Sequence, residues 1–119
     1  MLGELEQKIM DIIWDKATSV SVRQVADSLQ KTRDCAYTTV MTIMKRLFDK
    51  GLLKREQKGK QYLYFPTRQR EEYAKKKLPD LYEKIMNSYG SFAITQFVDS
   101  LDDEDLKLLK DYLDNSNDQ

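Results

Sequence analysis

At 119 residues the chain is long enough for one domain, or a small domain with an appendage, whose modest core a partner chain can complete. No stretch is apolar enough to span a membrane, no signal-peptide order opens the chain, and one cysteine allows no internal disulfide, so a cytoplasmic protein is expected. Net charge is zero, but residues 1–70 hold 14 Lys and Arg against 8 Asp and Glu, while residues 71–119 hold 6 against 12; a basic reader of phosphates joined to an acidic module has this asymmetry.

Residues 4–15 place Leu5, Ile9, Ile12 and Ile13 on one helical face, with Glu4 and Glu6 in the first turn, where the helix dipole favours acids. Lys16 to Val20 reads as a turn with a short strand. Ser21 and Gln24 have the spacing of a capping box that opens a second helix, with Val22, Val25, Ala26 and Leu29 inward and Arg23, Asp27 and Gln30 outward. Lys31 to Asp34 forms the next turn, and Asp34 is the expected N-cap of a third helix.

That third helix spans Ala36 to Gly51. Ala36, Val40, Ile43, Met44 and Leu47 make its apolar stripe, and Gly51 is placed to end it in a left-handed C-cap. Its other face holds Tyr37, Thr38, Thr39, Thr42, Lys45 and Arg46. Hydroxyls bond base edges or phosphates, Lys and Arg reach guanine or phosphate, and Thr methyls pack on thymine. An ordinary solvated face is richer in Glu and Lys. Lys31 and Arg33, just before the helix, are candidate phosphate clamps.

After Gly51 the apolar period changes from helical to alternating. Residues 52–56 and 61–65 read as two strands around a turn at Gln57–Lys60, ended by Pro66. Lys58 and Lys60 at its tip would meet flanking phosphates or a minor groove. Helices and hairpin together predict a mainly α fold with a small β-hairpin wing. A winged helix-turn-helix DNA-binding domain would cover 1–67 and a helical dimerisation module 68–119.

In that module residues 68–90 are helical in character, with Pro79 expected to kink or split the segment. A short apolar helix follows over 92–101, and a last one capped by Asp102 ends in a polar segment, Asn115 to Gln119, expected to fray. Leu81, Ile85, Phe92, Phe97, Val98, Leu101, Leu106, Leu109, Tyr112 and Leu113 are the candidate dimer-forming residues. Short helices with nothing after them to cover their apolar faces either fold back on the reader or pack on a second copy; the second copy would also place two reading helices roughly 34 Å apart, one DNA turn.

The run Arg33-Asp34-Cys35-Ala36-Tyr37-Thr38-Thr39-Val40, followed by Lys45-Arg46-Leu47 and Lys50-Gly51-Leu52, resembles the penicillinase repressor family (BlaI, MecI and copper-responsive relatives). The resemblance covers about Leu5 to Pro66 and, more loosely, the tail. It implies a homodimeric repressor of palindromic operators in double-stranded DNA. The copper-responsive members carry Cys-x-Cys motifs near the C-terminus, which this chain lacks. In the β-lactam-responsive members a membrane-bound sensor protease leads to a cut at an Asn-Phe bond. The matching place here is Gln96-Phe97, with the asparagine replaced.

Other readings remain open from the residues alone. A winged helix can serve as a protein–protein adaptor. Cys35, beside a helix N-terminus and near Arg33, could act as a redox switch, or simply fill space. Trp14 and the seven tyrosines follow helix faces and read as core and interface rather than base-stacking platforms. With no histidine, no Cys/His cluster and no glycine-rich phosphate loop, neither enzymatic activity nor a metal or other cofactor is expected.

Overall fold

Caps set the helix boundaries in the computed structural model, which describes residues 2–16 and 18–117. The element order is α1 (Glu4–Asp15), α2 (Val22–Gln30), α3 (Tyr37–Asp49), β1 (Leu53–Lys58), β2 (Gln61–Pro66), α4 (Arg70–Tyr89), α5 (Phe92–Asp99) and α6 (Asp103–Asn117). The chain divides into two compact units, the first ending at Ala74 and the second beginning at Lys75.

In the first unit, α1 begins where the Gly3 N–H donates to Glu6 Oε1 at 3.0 Å. Its buried stripe is Glu6, Ile9, Met10 and Ile13. Leu5 and Ile12, expected inward, lie half-buried at the margin, because the helix turns its Glu6–Met10 edge to the core. The capping box of α2 forms as expected: Gln24 N–H donates to Ser21 Oγ at 3.1 Å, and Ser21 N–H donates to Gln24 Oε1 at 2.8 Å. Val20 joins the hairpin as a one-residue strand, exchanging backbone hydrogen bonds of 2.9 and 2.7 Å with Tyr64.

The N-terminus of α3 differs from expectation. Its N-cap is Ala36, with no side-chain cap, so Asp34 does not cap it. Cys35 is drawn into the core at 8% exposure, its carbonyl held by the Gln30 side-chain amide, and the helix can start only after that inward step. Ala36 is consequently exposed, and the inward stripe is Val40, Ile43, Met44 and Leu47. The C-terminus closes as a Schellman motif: Leu52 N–H donates to Leu47 O and Gly51 N–H to Phe48 O, each at 3.0 Å, with Gly51 at φ +84°.

The hairpin is tighter than the sequence predicts. Lys58 pairs with Gln61, so Gln57 and Lys58 belong to β1 and the turn is only Gly59–Lys60. Gly59 takes φ +62° while no non-glycine residue among the described residues has positive φ, the pattern of a type II′ turn. One apolar cluster joins α1, α2, α3, Val20, Leu53 and Tyr64. The first turn of α4 also lies on this unit. Trp14 Nε1–H donates to the Arg68 carbonyl at 2.9 Å, Arg70 Nη2 reaches Asp15 Oδ1 at 2.9 Å, and the Trp14 and Tyr73 rings are 5.3 Å apart.

In the second unit α4 runs unbroken past Pro79, which therefore does not split it. Proline removes one donor, leaving the Lys75 carbonyl without its helical bond; Lys75 is solvent-exposed, so water can take its place. Gly90 (φ +69°) ends α4, and Asp102 caps α6 by accepting Asp105 N–H at 2.8 Å. Helix continues to Asn117, beyond where fraying was expected; Asp118 and Gln119 lie outside the described residues. No residue of α4 or α5, and no described residue of α6, is buried.

Two stability outcomes follow from the ends of α3. Gly51→Ala meets no atom within 4 Å, so its cost is the left-handed backbone alone. It should destabilise by ~1–2 kcal/mol and lower the thermal midpoint measured by circular dichroism. Glu6, buried beside Lys50 (2.8 Å), has its pKa held below the ordinary 4.5, first by the Lys50 hydrogen bond and then by the Gly3 amide, against its desolvation. A depressed carboxyl contributes stability above its unfolded pKa and loses it as pH falls through the folded value. Glu6→Gln should therefore cost ~1 kcal/mol at pH 7, discounted because Lys50 is nearly half exposed, and much less at pH 3, by urea unfolding at the two pH values.

Candidate nucleic-acid interface

Because Val40, Ile43, Met44 and Leu47 are buried, a helix of about 100° per residue must turn its opposite arc to solvent. That arc carries Tyr37, Thr38, Thr39, Met41, Thr42, Lys45 and Arg46, all exposed. Thr38, Thr42 and Lys45 lie near its middle, Thr39 and Arg46 on one flank, Tyr37, Met41 and Phe48 on the other. Thr42 Oγ1 donates to the Thr38 carbonyl at 2.9 Å, leaving its lone pairs outward as acceptors. Lys45 is drawn to Asp49 at 3.3 Å, an exposed pair that a phosphate can displace at small cost. Arg46 makes no ion pair within 4 Å among the described residues, although its charge acts on Glu6.

Lys31 and Arg33 lie in the turn leading to α3 and are exposed. Arg33 Nη1 stands 3.7 Å from Glu4 Oε1, so its charge is partly shared with α1. No side chain caps the N-terminus of α3, and its first amides, at the positive end of the helix dipole, remain open to an acceptor. Lys58 ends β1 and Lys60 lies in the turn of the wing, and both are exposed. The first unit thus carries the ten predicted DNA-facing residues on three places: the turn, the outer arc of α3 and the hairpin tip.

Cross-element contacts add residues that the sequence reading passed over. The Arg23 guanidinium of α2 lies 4.3 Å over the Tyr37 ring, and Arg55 of β1 lies 4.1 Å over Phe48. An arginine therefore covers an aromatic ring at each end of one flank of α3. Met41 sits between them at 45% exposure. Its position one turn from Tyr37 and from Lys45 was a usable signal; the two arginine stacks left none. Cys35 is buried in the apolar cluster, with Sγ 3.9 Å from the Ala36 carbonyl, and lines none of these surfaces.

The second unit presents apolar surface instead. Ile85, Phe92, Phe97, Tyr112 and Leu113 are exposed; Leu81, Val98, Leu101, Leu106 and Leu109 are half-buried. Leu108, absent from the sequence reading, is 70% exposed. A groove of about 420 Å³ between α4 and α5 is lined by Leu78, Leu81, Tyr82, Ile85, Met86, Ala93, Ile94 and Phe97. Gln96 and Phe97 lie exposed within α5. No metal-binding cluster of His, Cys, Asp or Glu occurs among the described residues, and no helix there is long and apolar enough to cross a membrane.

Comparison with known proteins agrees with this geometry. The chain is 41% identical over 71 residues to the transcriptional regulator BlaI of Mycobacterium tuberculosis, a match covering 60% of this chain and 51% of that protein; it thus spans about half the length of that relative. The penicillinase repressor of Bacillus licheniformis is 25% identical over 115 residues, covering 95% of this chain and 89% of the relative. The solution structure of Bacillus licheniformis BlaI, a monomeric form in complex with the blaP half-operator, superposes with a TM-score of 0.52 at 26% identity, covering 61% of this chain and 88% of that one. A family model described as penicillinase repressor matches residues 2–115. With the winged-helix fold, the Thr-rich outer arc of α3 and a match over nearly its whole length, the chain belongs to the penicillinase repressor family.

Proposed function

We propose that this protein is a cytoplasmic, homodimeric transcriptional repressor that binds a palindromic operator in double-stranded DNA. The observation that carries the reading is the outer arc of α3. Hydroxyls, a thioether and two cations stand there on a helix whose inner stripe is locked in the core, beside a basic hairpin. Thr38, Met41 and Thr42 meet base edges and thymine methyls in the major groove, and Tyr37 and Thr39 border them. Lys31, Arg33, Lys45, Arg46, Lys58 and Lys60 hold phosphates, and the uncapped start of α3 accepts one more. Relatives named as transcriptional regulators and repressors, and a half-operator complex of the same fold, support the assignment.

Residues 75–119 form the dimer module. Its helices expose Ile85, Phe92, Phe97, Tyr112 and Leu113, and bury no described residue. Isolated helices of this length are marginal in water, so a two-fold mate that covers these side chains supplies the missing core. Release follows from cleavage at or near Gln96–Phe97 by a protease acting downstream of a membrane-bound sensor. The cut severs α6 from the reading unit, and the avidity of two linked readers is lost with it.

Three outcomes test this. A duplex selected by the protein from a randomised pool should be palindromic and retarded in a gel, with affinity falling steeply with salt; no preference over random DNA at physiological salt refutes the reading. Thr42→Ala should cost ~1–3 kcal/mol on the selected duplex and relax base preference, whereas Lys45→Ala should weaken all sequences alike and lower the salt slope by about 1. Phe97→Asp with Leu113→Asp should sediment as a monomer and lose cooperative operator binding while keeping the melting of the first unit; a dimer that survives both changes removes the module from the interface.

A further inference from the structure

Arg55 lies on the wing but is half-buried, unlike Lys54, Lys58 and Lys60 on the same hairpin. Its guanidinium stands 4.1 Å from the ring centroid of Phe48 on α3 and 4.1 Å from that of Tyr62 on β2. Its cross-strand partner is Tyr64, whose side chain is the chief cause holding the guanidinium pKa above its ordinary value. The Tyr64 ring is buried at 3% exposure, and its backbone is paired with Val20. One planar cation therefore links recognition helix, hairpin and core.

The mechanical consequence can be sized. A two-stranded hairpin has little stability of its own, so its angle to α3 depends on such cross-element contacts. Lys58 is three residues beyond Arg55, about 10 Å along an extended strand. A swing of about 10° at Arg55 moves the tip by roughly 2 Å, enough to take an ammonium out of hydrogen-bond reach of a phosphate oxygen. We infer that Arg55, stacked between Phe48 and Tyr62, is a positioning residue that holds the wing at one angle to the recognition helix, so that Lys58 and Lys60 reach the DNA backbone only while the stack is intact. This rests on the DNA-reading function proposed above.

Lysine separates this role from a direct phosphate contact. It keeps the charge but is a compact, strongly hydrated ammonium without a plane to lie between two rings. The experiment uses the full chain and the duplex that the wild-type protein selects from a randomised pool. Arg55→Met and Arg55→Lys should each lower affinity about tenfold, the loss of one desolvated stack. The salt slope should fall by about 1 to 2, for the two wing lysines. Hydroxyl-radical footprints should lose protection at the flanks and keep it at the centre. Adding Lys58→Ala and Lys60→Ala to Arg55→Met should cost less than twofold more, although the same pair lowers wild-type affinity about as far as Arg55→Met does.

Near-wild-type affinity for Arg55→Lys overturns the proposal in favour of a phosphate contact. Full additivity with the wing lysines overturns it too, as does loss of the cooperative thermal transition in both Arg55 variants, because the residue then holds the fold rather than the wing. A wild-type protein that prefers no duplex overturns the DNA reading itself, and this inference with it; wild-type binding indifferent to Arg55 overturns only the inference.

Discussion

Burial of four side chains on one helix governs the rest of the first unit. Val40, Ile43, Met44 and Leu47 are at most 6% exposed, and withdrawing each from water stabilises the fold by roughly 1.5–3 kcal/mol. Rotating α3 by a single residue, about 100°, would push Lys45 or Thr42 into the core, with a desolvation cost that nothing there offsets. The rotational setting of the helix is therefore determined, and the chemistry of its outer arc follows from it. The Schellman closure at Gly51 then sends the chain directly into the wing, so α3 and the hairpin grow from one packed corner.

Charge in this unit is arranged rather than spread. Glu6 engages Lys50 at the C-terminal end of α3, Glu4 draws Arg33, and Asp15 holds Arg70. Those cations tie elements together, while Lys31, Lys58 and Lys60 are exposed and make no ion pair within 4 Å among the described residues. Arg23 and Arg55 serve in a third way, each laid on an aromatic ring at one end of α3. A formal excess of +6 over residues 1–70 is thus partly internal fastening and partly field at the surface.

The second unit follows the opposite logic. Its helices are capped and punctuated competently, by Gly90 and by Asp102, yet their large apolar side chains remain in solvent. Local signals suffice to start and stop a helix; they do not supply something for its face to pack on. A segment of this kind is stable to the extent that another surface covers it.

What the chain determined without tertiary help is what one or two helical turns can encode. The Ser21–Gln24 capping box, the glycine stop of α3, the hairpin with Gly59 at its turn, the Asp102 cap and the inward stripe from Val40 to Leu47 were all legible, because each partner lies within a few residues of the other. Packing decided the remainder. Asp34 lost the capping role because Cys35 is drawn into the core; Met10 and Glu6 displaced Leu5 and Ile12 from the deepest positions of α1; α4 passed Pro79 on an exposed stretch where water can take the place of the lost bond. The stacks of Arg23 on Tyr37 and of Arg55 on Phe48 join side chains from separate elements, and a contact of that sort exists only once the core has set the distance between them.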